Sequence, residues 1–224
     1  MYDSETFRRE ATQFNEISKS LNANWQLRFY VESEADSLYL VLKEEKCARK
    51  RGKRESREGE DERIKIEGES GETDNLDSQF FMPFEDAGEL DLTEKREIST
   101  DGSEKQLLSF EYHVLYSSSY SVPALYFKVH GSNGKALRLE EFWEIVPESF
   151  LDATSTDSKW KFVTEQEHSY LGKPFFHLHP CRTAEAMRAI RKDTADYPFL
   201  LSWFSCYGPF ANLYLPNEFY TKSL

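Results

Sequence analysis

Cys181 follows His179 and Pro180 in "GKPFFHLHPCRTAEAMRAIRK", where an aromatic strand pattern gives way to a helical one. A thiol there has three possible chemistries: a buried filler, one ligand of a metal site, or an exposed nucleophile at a strand-to-helix corner. His177, His179 and Cys181 alternate, so an extended chain would place all three on one face and invite zinc. Structural zinc usually takes four ligands, however, and Cys47, His113, His130 and Cys206 are scattered without paired spacing. Pro180 also breaks the strand where the third ligand is needed. No metal is expected on these grounds. A cysteine hydrolase needs a histidine base and a third group to orient it. His179 is too close in sequence to face Cys181 across a cleft. His113 or His168 remains, and nothing in the sequence positions either, so hydrolysis is the second reading.

The neighbours of Cys181 favour the nucleophile. Pro180 forces His179 extended and ends strand pairing. Thr183 reads as the N-cap of "AEAMRAIRK", which sets the thiol beside a helix N-terminus and next to Arg182. Positive partial charge and a guanidinium both favour the anionic sulfur. By contrast, Cys206 lies within "LLSWFSCYG" and reads as core, and Cys47 falls in a charged stretch without structural signal. Three cysteines, an odd and small number, argue against a disulfide scaffold and for a reducing compartment.

The elements that must hold this corner follow from periodicity. In "SETFRREATQFNEISKSLNANW" a capping Ser4 precedes Phe7, Ala11, Phe14, Ile17 and Leu21, three or four apart, which predicts an amphipathic helix. "WQLRFYVES" and "SLYLVLKE" alternate around a polar turn at Ser33 to Asp36 and predict a hairpin. From about Glu44 to Glu104 the chain is charged, Gly-rich and nearly free of apolar residues, the composition of a disordered insertion. Two features stand out in it: the basic "RKRGKR", a nuclear signal or a solvated polyampholyte beside acidic blocks, and the apolar "FFMPFED" at Phe80 to Asp86, read as a loop patch resting on the domain's own surface ahead of a docking motif. A second hairpin, "LLSFEYHVLYSSSYSVPALYFKVHG", forms the centre of the sheet. A turn at "SNGK", a short helix in "LRLEEFWEIVP", strand-like segments in "KWKFVTEQEHSY" and "FFHLH", and helices in "TAEAMRAIRK" and "PFLLSWFSCYGPF" follow. A helix, a four-stranded meander broken by a long insertion, a cysteine corner and C-terminal helices make an α+β fold with an antiparallel sheet.

A length of 224 residues and 39% hydrophobic content suffice for one cored domain or two small ones. The formal charge of -12 argues against nucleic acid and suits a protein that meets basic surfaces of other proteins. The N-terminus carries no signal-like apolar stretch, and no run approaches the roughly 18 apolar residues of a membrane span. A cytoplasmic location is expected.

The "HPC" corner, the preceding "GKPFFHLHPC" and the hairpin "YSSSYSVPALYF" together resemble the autophagy-related protein ten family, the E2-like (ubiquitin-conjugating-enzyme-like) proteins of the autophagy conjugation pathway. The resemblance runs from Trp25 to about Gly208 and rests on the hairpin, because "HPC" alone is shared with related protein three. It implies a reduced E2 fold over residues 1–224, interrupted by the insertion. It also implies that Cys181 accepts the C-terminal glycine of autophagy-related protein twelve from the activating enzyme, related protein seven. Transfer to a lysine of related protein five would follow, with no cofactor. The asparagine of the E2 His-Pro-Asn motif is missing upstream of Cys181, in "EQEHSYLGKPFFHL". Candidate oxyanion donors or lysine-positioning groups are His168 and Ser169, with Tyr116 or His113 on the hairpin. A different class also fits: a non-catalytic binding module using a sheet edge and "FFMPF". So does the related E2-like enzyme for the lipid-conjugated modifier.

Overall fold

The computed structural model describes residues 2–31, 37–49, 105–146, 163–181, 183–184, 187 and 197–222. All of them belong to the unit formed by residues 1–50 and 104–224. The turn at 33–36, the insertion from Lys50 onward with "FFMPFED", Pro147, residues 159–162, Arg182 and most of "TAEAMRAIRK" lie outside the described residues.

Helix α1 spans Ser4–Ser20 and buries Phe7, Ala11, Phe14 and Ser18 on one stripe. Its cap is Asp3 rather than Ser4. Asp3 is extended, and its carboxylate accepts the Thr6 N–H at 2.8 Å, which also lowers the carboxyl pKa. Asn22, at φ 53°, takes the left-handed conformation just past the helix end.

The expected meander is present as β1 (Gln26–Phe29), β2 (Leu38–Arg49), β3 (Lys105–Ser117) and β4 (Val122–Gly131). A further hairpin, β5 (Val163–Glu167) and β6 (Pro174–Leu178), widens it to six strands in the order β1-β2-β3-β4-β6-β5, each pair antiparallel. Strand β6 returns to lie against β4, with Tyr126 opposite His177. The start of the insertion is corrected by β2, which continues through Glu44–Arg49 and pairs Cys47 with Leu107. Charged composition hides this strand because its ladder is long and its lysine is anchored. Lys46 reaches the Asn212 carbonyl and Glu44 while lying over the Tyr112 ring. Cys47 is thus an exposed strand residue.

Alternation sends Leu40, Tyr112, Leu125, Phe127 and Leu178 to one face, where they pack with α1 and the C-terminal helices. Tyr39, Val41, Leu115, Ala124, Tyr126 and Phe175 form a smaller cluster on the other face. Short helix α2 (Leu139–Trp143) buries Phe142 against Phe127. Helix α3 (Phe199–Tyr207) has no capping side chain of its own, so Glu10 of α1 accepts the N–H groups of Phe199 and Leu200 at 3.1 and 2.8 Å. A 3-10 turn, Gly208–Ala211, follows, where a Cβ on Gly208 would sit 2.5 Å from the Leu213 carbonyl oxygen. The Tyr112 hydroxyl donates to the Ala211 and Asn212 carbonyls and ties this turn to the sheet. Cys206 is half-buried on α3, and burial raises its thiol pKa. The chain then reaches α4 (Glu218–Thr221), whose Phe219 is buried against Phe14.

Leu125 is fully buried on β4, whereas Leu107 is exposed on β3. Leu125→Ala should therefore lower unfolding free energy by about 2–5 kcal/mol. Leu107→Ala should stay within about 0.5 kcal/mol. Urea unfolding midpoints at unchanged m-value check both.

Candidate active site

Strand β6 ends at Leu178, and Pro180 and Cys181 are already helical. Proline is suited to the first helical position because its fixed φ matches the helix and its missing N–H needs no acceptor there. The Cys181 N–H is then the first that needs a partner, and His179 Nδ1 accepts it at 3.2 Å. His179 is thus the N-cap. Thr183 is not. It is buried, and its hydroxyl donates to the Pro180 carbonyl at 3.0 Å. Cys181 itself is exposed and unpaired with another cysteine. The corner touches the second hairpin through His179, whose ring meets Tyr120 in the β3–β4 turn edge-on at 5.7 Å.

His177 does not share a face with the thiol. It is buried against the Tyr126 ring at 4.3 Å, while Cys181 has turned outward on the helix. Burial, and then the nearby His179, push the His177 imidazole down from 6.5 to about 4. Its Nδ1 has no hydrogen-bond partner among the described residues.

Beneath the loop that joins β5 to β6 lies a chain of buried polar groups. His168 Nδ1 accepts the backbone N–H groups of Tyr170 and Leu171 at 3.1 and 3.3 Å. A neutral ring must then carry its proton on Nε2, which meets His113 Nδ1 at 2.9 Å. His113 in turn presents Nε2–H to Glu111 Oε1 at 3.2 Å, and Lys43 Nζ lies 3.0 Å from the same oxygen. Both tautomers are set by this chain. Burial, followed by the adjacent His113 ring, pushes His168 down to about 4. The His113 hydrogen bond and then Lys43 hold Glu111 down to about 2.

His168, Ser169 and His113 therefore meet on one face of the sheet, together with Tyr126, whose hydroxyl pairs with Ser169 Oγ at 3.0 Å. His168 is buried with both nitrogens engaged and has none left for an oxyanion. Its place is structural. Tyr116 lies on the opposite face among Tyr2 and Phe7, and its hydroxyl donates to the Tyr2 carbonyl at 3.2 Å. It does not join the other candidates. Ser169 remains exposed. The residues not singled out from sequence are His179 as cap, Tyr126 and Glu111. Only the first had a local signal, a proline at a strand end reading as a first helical residue.

Residues 6–218 match the family described as autophagocytosis associated protein, active-site domain. The chain belongs to this family. It is 39% identical over 145 residues to the ubiquitin-like-conjugating enzyme ATG10 of Homo sapiens, covering 63% of this chain and 65% of that protein. The Arabidopsis thaliana protein of the same name is 35% identical over 116 residues, 49% of this chain and 51% of its own length. An autophagy-related protein 3 from Pichia angusta is 30% identical over 87 residues, 39% of this chain and 24% of its own. The matches thus span less than two thirds of these relatives. No helix among the described residues is long and apolar enough to cross a membrane.

In this member of the autophagocytosis family two buried imidazoles favour loss of stability in acid. His168 and His177 have folded-state pKa values below their unfolded value of 6.5, so the unfolded chain binds more protons between pH 6.5 and 4. Their stabilising neutrality is complete above 6.5 and lost as pH falls, on the order of 3 kcal/mol per ring. Glu111 adds a further loss from 4.5 down to about 2. Chemical denaturation at stepped pH should show this decline beginning near 6.5, and His177→Phe should make it shallower. Tyr116→Phe should cost about 1 kcal/mol from one lost hydrogen bond. Its effect should appear in thermal melts alone, with thiol chemistry at Cys181 unchanged.

Proposed function

We propose that this chain is an E2-like conjugating enzyme whose Cys181 carries a ubiquitin-like protein as a thioester. The observation that carries the reading is the exposed thiol on the first turn of a capped helix, in a member of an active-site-domain family. The names of the human and Arabidopsis relatives agree with it. The "YSSSYSVPALYF" hairpin beside the corner supports the finer assignment, with autophagy-related protein twelve as modifier, related protein seven as activating enzyme and a lysine of related protein five as acceptor.

Loading exchanges one thioester for another. Sulfur of Cys181 attacks the glycyl carbonyl carbon, the new C–S bond forms, and the activating enzyme's thiolate leaves. The two thioesters are nearly equal in energy, so access governs this step more than a strong base does. Transfer then joins the acceptor lysine's nitrogen to the same carbon and expels the Cys181 thiolate, with the ammonium proton passing to solvent. This second step depends on holding the amine close and on stabilising the tetrahedral oxygen.

The test is a reductant-sensitive adduct formed with the ubiquitin-like protein, its activating enzyme and ATP. Cys181→Ser should trap the modifier as an oxygen ester that survives thiol reductant, while Cys47→Ser and Cys206→Ser should charge normally. Absence of any adduct on the unmodified chain would leave a binding module. Loss of the adduct in Cys47→Ser as complete as in Cys181→Ser would move the nucleophile.

A further inference from the structure

His168 has both ring nitrogens engaged, and the Tyr116 hydroxyl is bonded to the Tyr2 carbonyl on the far face of the sheet. The Cys181 N–H is committed to His179 Nδ1. That last bond has a consequence for His179 itself. An imidazole that accepts at Nδ1 and is neutral holds its proton at Nε2. His179 is only partly buried, and the hairpin turn supports its ring through the edge contact with Tyr120 at 5.7 Å. The cap therefore presents an Nε2–H two residues along the chain from Cys181, on a ring that accepts one hydrogen bond at 3.2 Å and meets one aromatic edge.

Resting on the conjugating-enzyme reading of Cys181, we infer that His179 is the oxyanion donor of the transfer step. When lysine nitrogen bonds to the thioester carbon, the carbonyl electron pair moves onto oxygen, and Nε2–H donates to that oxygen. Collapse returns the pair, breaks the C–S bond and releases the Cys181 thiolate, and the imidazole keeps its proton throughout. In this way His179 supplies what the asparagine of a His-Pro-Asn motif would, from the strand end rather than from a segment upstream.

Single-turnover discharge of the preformed Cys181 thioester onto the acceptor protein tests this, with charging measured separately. His179→Asn keeps a capping oxygen for the Cys181 N–H but places no donor at the reach of Nε2. It should discharge on the order of 100-fold more slowly, the loss typical of one oxyanion donor, at an unchanged thermal midpoint. Tyr120→Phe keeps the supporting ring without its hydroxyl and should discharge normally. His179→Asn discharging at the unmodified rate would reduce His179 to a cap and overturn the inference. So would a fall in thermal midpoint in that variant large enough to account for the loss, which marks a structural role, or slow discharge in Tyr120→Phe, which would move the donor to the tyrosine. If the unmodified chain never charges, the conjugating-enzyme reading itself fails, a result distinct from all of these.

Discussion

The cysteine corner depends on β6 being held in one register against β4. Strand β4 is paired on both edges, and Val122 to Phe127 are buried without interruption because each face of the sheet has its own apolar cover. A one-residue slip would exchange Tyr126 with Phe127 between an aromatic core and a polar, histidine-lined face. That penalty pins Leu178 opposite Leu125, and hence fixes where the ladder stops and Pro180 begins its helix. Position of the thiol is in this sense a property of the sheet.

The two faces carry different kinds of rigidity. On the helix side, stacked aromatics such as Phe14 with Phe204 and Phe219 bury area without directional demands. On the other side, the loop after β5 is tied down by hydrogen bonds, with Tyr170 and Leu171 donating to His168 and Tyr170 stacking on Tyr30 at 5.4 Å. A buried polar chain specifies geometry strongly when every member is satisfied. The Glu111–His113–His168 chain meets that condition at each ring nitrogen, and it holds the segment leading into β6 from the side opposite the helices.

Much of this was legible in the sequence where the pattern is local. The stripe of α1, the β3–β4 hairpin, the apolar α3 and the exposed thiol at a strand-to-helix corner all follow from spacing within a dozen residues. What escaped depends on contacts distant in sequence or on parity. Residues 112–116 of β3 read Tyr, His, Val, Leu, Tyr, so apolar character cannot tell which face is which, and Tyr116 proves to point at α1. His113 and His168 lie 55 residues apart, and no pattern in either segment announces that they meet. Thr183 has the chemistry of a cap, yet proline two residues after Leu178 starts the helix earlier and leaves the threonine inside its first turn.

In the proposed reaction the division of labour around Cys181 follows from the energetics of thioesters. Exchange between near-equal thioesters asks for an accessible sulfur, and burying it beside a general base would obstruct the large partner that must reach it. Aminolysis asks for something else, a fixed donor where negative charge develops, and a donor is useful only if it does not reorganise as the charge appears. A surface imidazole would ordinarily be too mobile for that. Here the ring is oriented through its own Nδ1, which accepts the N–H of the residue bearing the thiol at 3.2 Å. The same hydrogen bond that starts the helix therefore orients the imidazole, and in the proposed reaction a corner open enough for a protein substrate still carries an oriented donor.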